Sequence, residues 1–135
     1  MSTNLKVLIV DDFEMVRVML KNTLKSLGYT DFSEAENGFD AWKKIEEAHS
    51  ANKPYQIIFC DWNMPEMGGI EFLEKCRADA KYKEVPIIMV TAEAEQDHIV
   101  TALKKGATDY IIKPISPEML EKKVKKAIAK LQKPA

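Results

Sequence analysis

The chain has 135 residues, of which 46% are hydrophobic and 30% charged, and its formal net charge is −1. That is one domain with room for a real core. The balanced charge gives no global drive toward nucleic acid or a membrane surface, and no apolar stretch is long enough to span a bilayer.

In chain order, Leu5 to Val10 reads as a strand. Glu14 to Leu27 reads as a helix carrying Met15, Val18, Met19, Leu20 and Leu24 near helical spacing, with Gly28 as its stop. Phe32 to Ala35 is a weak, half-exposed strand. Gly38 to Ala48 is a helix with Phe39, Trp42 and Ile45 on one face. The turn Ser50-Ala-Asn-Lys-Pro54 leads into a strand from Gln56 to Cys60, and Gly69 to Arg77 is the next helix. Val85 to Val90 is a strand, Ala94 to Lys105 a helix stopped by Gly106, and Asp109 to Ile112 a strand. Pro117 to Leu131 is a helix with Ser116 as its N-cap and a stripe of Met119, Leu120, Val124, Ala127, Ile128 and Leu131.

Five strands alternating with five helices make parallel βαβ units with right-handed crossovers. Strands that are apolar throughout are covered on both faces. The expected fold is therefore α/β, a doubly wound five-stranded parallel sheet with five helices. Residues 1–135 form one domain, with a core of about 5–131. The first and third strands should be neighbours at the switch point, where such sheets place their sites.

Chemistry-bearing residues gather at the strand ends. Asp11 and Asp12 follow the first strand, Asp61 the third, Thr91 the fourth and Lys113-Pro114 the last. Three neighbouring carboxylates repel one another unless a cation holds them. Oxygen donors without histidine or cysteine point to Mg²⁺. A carboxylate beside such an ion can accept a phosphoryl group, making Asp61 the candidate nucleophile. Lys113 can neutralise phosphoryl oxygens, and Thr91 can hydrogen-bond one. Taken singly, each has a plain alternative: Asp12 or Thr91 capping the next helix, Asp61 in an ordinary turn, Lys113 a solvated lysine, Tyr110 packing at the edge. His49 and His98 read as surface residues. The lysines of the last helix read as a solvated face, not a nucleic-acid site. Cys60 and Cys76 lack metal-ligand spacing and read as structural free thiols of a cytoplasmic protein. The N-terminus carries no recognisable secretion signal.

In this order, Asp11-Asp12, Asp61, Thr91 and Lys113-Pro114 resemble the receiver domain of two-component response regulators, over Leu5 to Leu131. The strings Val10-Asp-Asp-Phe13, Asp61-Trp-Asn-Met-Pro65, Val90-Thr-Ala-Glu-Ala94 and Gly106-Ala107 are most similar to its CheY-type chemotaxis members. The resemblance implies a flavodoxin-like strand order of 2-1-3-4-5. It makes Asp61 the phosphoacceptor of a histidine kinase. It has Asp12, Asp61 and the Asn63 backbone carbonyl ligate Mg²⁺, with Asp11 completing the pocket. Lys113 and Thr91 would contact the phosphoryl oxygens. Thr91 would then move and Tyr110 swing inward. Asn63 and Glu93 would tune dephosphorylation.

The partner surface implied is Ala94, Ile99, Tyr110, Ile112, Lys123 and Lys126. The partners implied are a chemotaxis-type kinase, a flagellar motor switch protein and a phosphatase. The molecule implied is a monomeric switch without an output domain, bound to neither nucleic acid nor membrane. It catalyses only its own phosphotransfer and autodephosphorylation. Two departures stand out: Gly68 where an Asp often caps the third helix, and Ile115 where an aromatic residue often follows Lys-Pro.

Other readings compete. A receiver of a non-chemotaxis phosphorelay, or a phosphate sink, shares every site residue. A haloacid-dehalogenase-type phosphatase would place a second Asp where Asn63 stands. A flavin binder would want an uncharged phosphate loop instead of Asp11-Asp12.

Overall fold

The computed structural model describes residues 5–92 and 96–131, with residues 130 and 131 described by backbone alone. Its elements alternate: β1 (Lys6–Val10), α1 (Glu14–Ser26), β2 (Asp31–Ala35), α2 (Gly38–Ser50) and β3 (Ile57–Cys60). Then come α3 (Gly69–Arg77), β4 (Ile87–Thr91), α4 (Gln96–Lys104), β5 (Asp109–Ile112) and α5 (Pro117–Leu131). The strands form one parallel sheet in the order β2-β1-β3-β4-β5, as the family resemblance implied.

The apolar strands are buried on both faces. Leu8, Val10, Ile58 and Met89 pack with Ile45 of α2, Phe72 of α3 and Ala102 of α4. Val7, Ile9, Phe59 and Val90 point the other way, onto Leu20 and Leu24 of α1 and Leu120 and Val124 of α5. Period-two alternation therefore feeds two cores at once. β2 lies at the sheet edge, and only its last residue, Ala35, is buried.

Helix ends follow local chemistry. At the end of α1, Gly28 adopts φ 101°, its N–H donates to the Lys25 carbonyl at 3.0 Å, and the Tyr29 N–H donates to the Leu24 carbonyl at 3.1 Å. This is the paired closure that a left-handed glycine permits. Gly106 closes α4 the same way, with φ 111° and the Ala107 N–H on the Ala102 carbonyl at 2.9 Å. Asn37 caps α2 by accepting from the Asp40 N–H at 2.8 Å. Gly68 gives α3 no side-chain cap.

The helix faces differ from the sequence expectation. In α1 the buried residues are Arg17, Leu20 and Leu24, three and four apart. Met15, Val18 and Met19, expected on the same stripe, lie on the exposed side, with Met15 82% exposed. In α2 Phe39 is exposed and Trp42 half-buried, while Ala41, Ile45 and Ala48 face the core. Met119 of α5 is also exposed. Apolar content alone does not locate a buried face when both sides of a helix carry it. The start of α4 expected at Ala94 lies outside the described residues.

Gly69 is fixed by contact. A Cβ there would sit 1.9 Å from the Asp61 carbonyl oxygen. Helix propensity alone would make Gly69→Ala stabilising by about 1 kcal/mol. The backbone clash reverses the sign. Gly69→Ala should lose about 1–3 kcal/mol, read as a lower urea midpoint at unchanged slope; a raised midpoint would refute the contact.

Candidate functional site

The carboxyl ends of β1, β3, β4 and β5 bring the site together. Pairing of Val10 with Cys60 sets the Asp61 N–H on the Val10 carbonyl at 2.9 Å. On the other side of β1, the Asp11 N–H donates to the Ala35 carbonyl at 3.1 Å. The Lys113 N–H donates to the Thr91 carbonyl at 2.9 Å, which extends the β4–β5 ladder to both residues. The Lys113–Pro114 peptide bond is cis.

Asp11 and Asp61 are buried, and Asp12 is exposed at the rim. One carboxylate oxygen from each of the three lies within 4.8 Å of the other two. The Lys113 ammonium donates to Asp11 Oδ2 at 2.9 Å and stands 3.5 Å from Asp61 Oδ2. Asp11 Oδ1 accepts from the Phe13 N–H at 2.9 Å. The Trp62 N–H donates to Asp61 Oδ1 at 2.8 Å. Thr91 is buried and its side chain hydrogen-bonds Asp61. Asn63 is exposed two residues beyond Asp61. Glu93 and Ala94 lie outside the described residues.

This donor set suits a hard divalent cation, with three carboxylates in reach and no nitrogen or sulfur ligand among them. One lysine is a partial substitute for such a cation. Burial pushes the Asp61 carboxyl above its ordinary value, and the Asp11 charge adds to that rise. The hydrogen bond from Thr91, the charge of Lys113 and the Trp62 N–H oppose it. Burial also raises both thiols, Cys60 far up and Cys76 to about 12, so neither is a nucleophile.

A second feature lies on the α4–β5–α5 face. Ile99, Tyr110, Ile112 and Lys123 line one groove of about 520 Å³, together with Leu103 and Met119. Tyr110 is buried there, and Lys123 is paired to Asp109 at 2.7 Å. Lys126 is exposed on α5 but does not line the groove.

Two contacts escape the sequence reading. Arg17, on the buried side of α1, donates to the Asp11 carbonyl at 2.6 Å and to Glu34 of β2 at 2.9 Å. Its signal was an arginine three and seven residues before Leu20 and Leu24, on their stripe. The other is His98, expected at the surface and away from the strand ends. It is half-buried and packs edge-to-face on Trp62, with ring centroids 4.9 Å apart. His49 is exposed, as expected.

The raised Asp61 carboxyl carries a stability prediction. A carboxyl that ionises less readily folded than unfolded costs stability once pH rises through its folded range, and nothing when protonated in both states. In metal-free buffer at neutral pH, Asp61→Asn should therefore melt higher than the parent. The gain should shrink as pH falls toward the ordinary carboxylate range. An unchanged or lower melting temperature at neutral pH would contradict this.

Comparison with known proteins agrees with this architecture. The response regulator receiver domain model matches residues 7–125. Chemotaxis protein CheY1 of Helicobacter pylori is 45% identical over 120 residues, 89% of this chain and 94% of that protein. The CheY homolog of Campylobacter jejuni is 44% identical over 89% of each chain. Among solved structures, Vibrio cholerae CheY4 superposes with a TM-score of 0.80 at 35% identity, covering 92% of this chain and 98% of that one. A Borrelia burgdorferi CheY, solved as a CheX–CheY–BeF₃–Mg²⁺ complex, superposes with a TM-score of 0.83 at 27% identity, covering 92% and 89%. Among the described residues no helix is long and apolar enough to cross a membrane. With its 2-1-3-4-5 sheet and its acidic cluster at the strand ends, the chain belongs to the response regulator receiver domain family, as a CheY-like chemotaxis response regulator.

Proposed function

We propose that this chain is a cytoplasmic receiver, residues 1–135 forming one domain. It takes a phosphoryl group from a chemotaxis histidine kinase onto Asp61 and then changes its affinity for the flagellar motor switch. The observation that carries the reading is the convergence on Asp61: Lys113 at 3.5 Å, the Thr91 side chain hydrogen-bonded to it, and the Asp11 and Asp12 carboxylates within 4.8 Å. The Mg²⁺ and BeF₃ held by the similar Borrelia protein support the same use of the acidic cluster.

In this reading an Asp61 oxygen attacks phosphorus, the new O–P bond forms as the phosphohistidine N–P bond breaks, and the freed imidazole takes up a proton. Asp11, Asp12, Asp61 and the Asn63 carbonyl would hold Mg²⁺, whose positive charge would offset the negative charge of the phosphoryl oxygens. Lys113, already bridging two of the carboxylates, supplies a fixed second positive charge. The Thr91 hydroxyl exchanges Asp61 for a phosphoryl oxygen, and Tyr110 sets the shape of the groove it lines. Water attacking phosphorus breaks the Asp61 O–P bond, releases inorganic phosphate and restores the carboxylate. Asn63 flanks its path, and a phosphatase partner accelerates the step. Ile99, Tyr110, Ile112, Lys123 and Lys126 form the output face.

Acetyl phosphate with Mg²⁺ should label the parent, and Asp61→Asn should remove the label; retained label would refute the assignment. Lys113→Ala should keep Mg²⁺ binding, followed by Trp62 fluorescence, while beryllofluoride no longer raises affinity for a flagellar-switch N-terminal peptide. Normal activation of that variant would make Lys113 dispensable. Loading without any change in peptide affinity of the parent would redirect the search from the motor to another partner.

A further inference from the structure

The route from Asp61 to the groove through Thr91 and Tyr110 runs along β4 and β5. A second line of contact reaches α4 through Trp62, the residue after Asp61. It starts at the Trp62 N–H, which donates to Asp61 Oδ1 at 2.8 Å. The Trp62 carbonyl is also engaged, accepting from the Gly69 N–H at 2.9 Å. The backbone of Trp62 is thus held at both ends, by the carboxylate and by the start of α3. Its indole meets the His98 ring edge-to-face, 4.9 Å between centroids and 72° between planes. Ile99, the next residue of α4, packs on the same core cluster as Trp62 and lines the groove.

We propose that the Trp62–His98 ring contact is a mechanical link that passes the charge state of Asp61 to α4, with His98 as its positioning residue. The inference rests on the receiver reading above. The physical cause is a difference between two states at one hydrogen bond. With Asp61 ionised, the Trp62 N–H donates to a charged oxygen, the stronger kind of acceptor. When Asp61 becomes an acyl phosphate, its carboxyl loses that charge and the Trp62 N–H loses the preference for its present position. A shift of the Trp62 backbone displaces the indole. Both rings are half-buried and Trp62 packs against the core cluster, so the His98 ring must follow or lose its contact. Because His98 and Ile99 are consecutive on one helix, displacement of the first changes the groove wall formed by the second. The contact therefore satisfies what coupling requires, an interaction that differs between the two states of the site.

The test uses the full chain, uniformly ¹⁵N-labelled, with Mg²⁺ and beryllofluoride. Loading is read from the ¹⁹F resonance of bound beryllofluoride, which Asp61→Asn must abolish. The response of α4 is read from the backbone amides of Val100 to Lys104. His98→Ala should keep the bound ¹⁹F signal. It should cut the α4 amide displacements to less than about half, since one edge-to-face aromatic pair biases a two-state equilibrium by about fivefold. His98→Phe, which restores an aromatic edge, should recover them. Alanine favours helix, and the unloaded spectrum of each variant checks that α4 is intact.

The link is overturned if His98→Ala loads and its α4 amides move as in the parent. It is overturned equally if His98→Phe behaves like His98→Ala. If the parent shows no bound ¹⁹F resonance, the receiver reading fails and the link fails with it.

Discussion

Everything at the working end of this molecule depends on crowding negative charge where water is scarce. Asp11 and Asp61 are buried side by side, and one ammonium, that of Lys113, stands between them. Such an arrangement is held by the rest of the fold against its own repulsion. The sheet does the holding: the Asp61 and Asp11 amides are tied to the Val10 and Ala35 carbonyls, and Lys113 is tied through its backbone to Thr91. The residual negative charge is what a divalent cation can relieve. The same feature that makes the pocket costly makes it receptive.

The doubly wound order explains why four separated pieces of sequence share one crevice. β1 and β3 are adjacent, and their connecting helices leave on opposite faces of the sheet. Side chains from both strand ends therefore meet in one crevice, with Asp12 exposed at its rim. Two cores, one on each face, keep the strand ends rigid enough to hold charges within a few ångströms of one another. Gly69 shows how little slack remains, because α3 begins in direct contact with the Asp61 carbonyl.

Much of this was legible in the sequence because its causes are local. Uniformly apolar strands report burial on both faces, and Gly28 and Gly106 report helix ends. Paired carboxylates after such strands report a cation-binding crevice. The parts that were not legible depend on which side of a helix turns inward. Met15, Val18 and Met19 are apolar yet exposed, while Arg17 is charged yet buried, because the latter's hydrogen bonds to Asp11 and Glu34 need that position. His98 was read as an ordinary surface residue for the same reason. Its place against Trp62 follows from how α4 lies on the β3–α3 loop, a tertiary fact with no sequence period of its own.

The buried Arg17 has a consequence for local stability. β2 is an edge strand, half-exposed along most of its length, and such strands open more readily than the centre of a sheet. Here Glu34 of β2 gathers Arg17, Lys21 and, through its carbonyl, Lys44. The guanidinium that grips Glu34 also grips the Asp11 carbonyl. Fraying of the edge and loosening of the acidic pocket therefore share one residue. Whatever tightens the pocket should slow amide hydrogen exchange along β2, so that the outermost strand keeps a record of events at the centre.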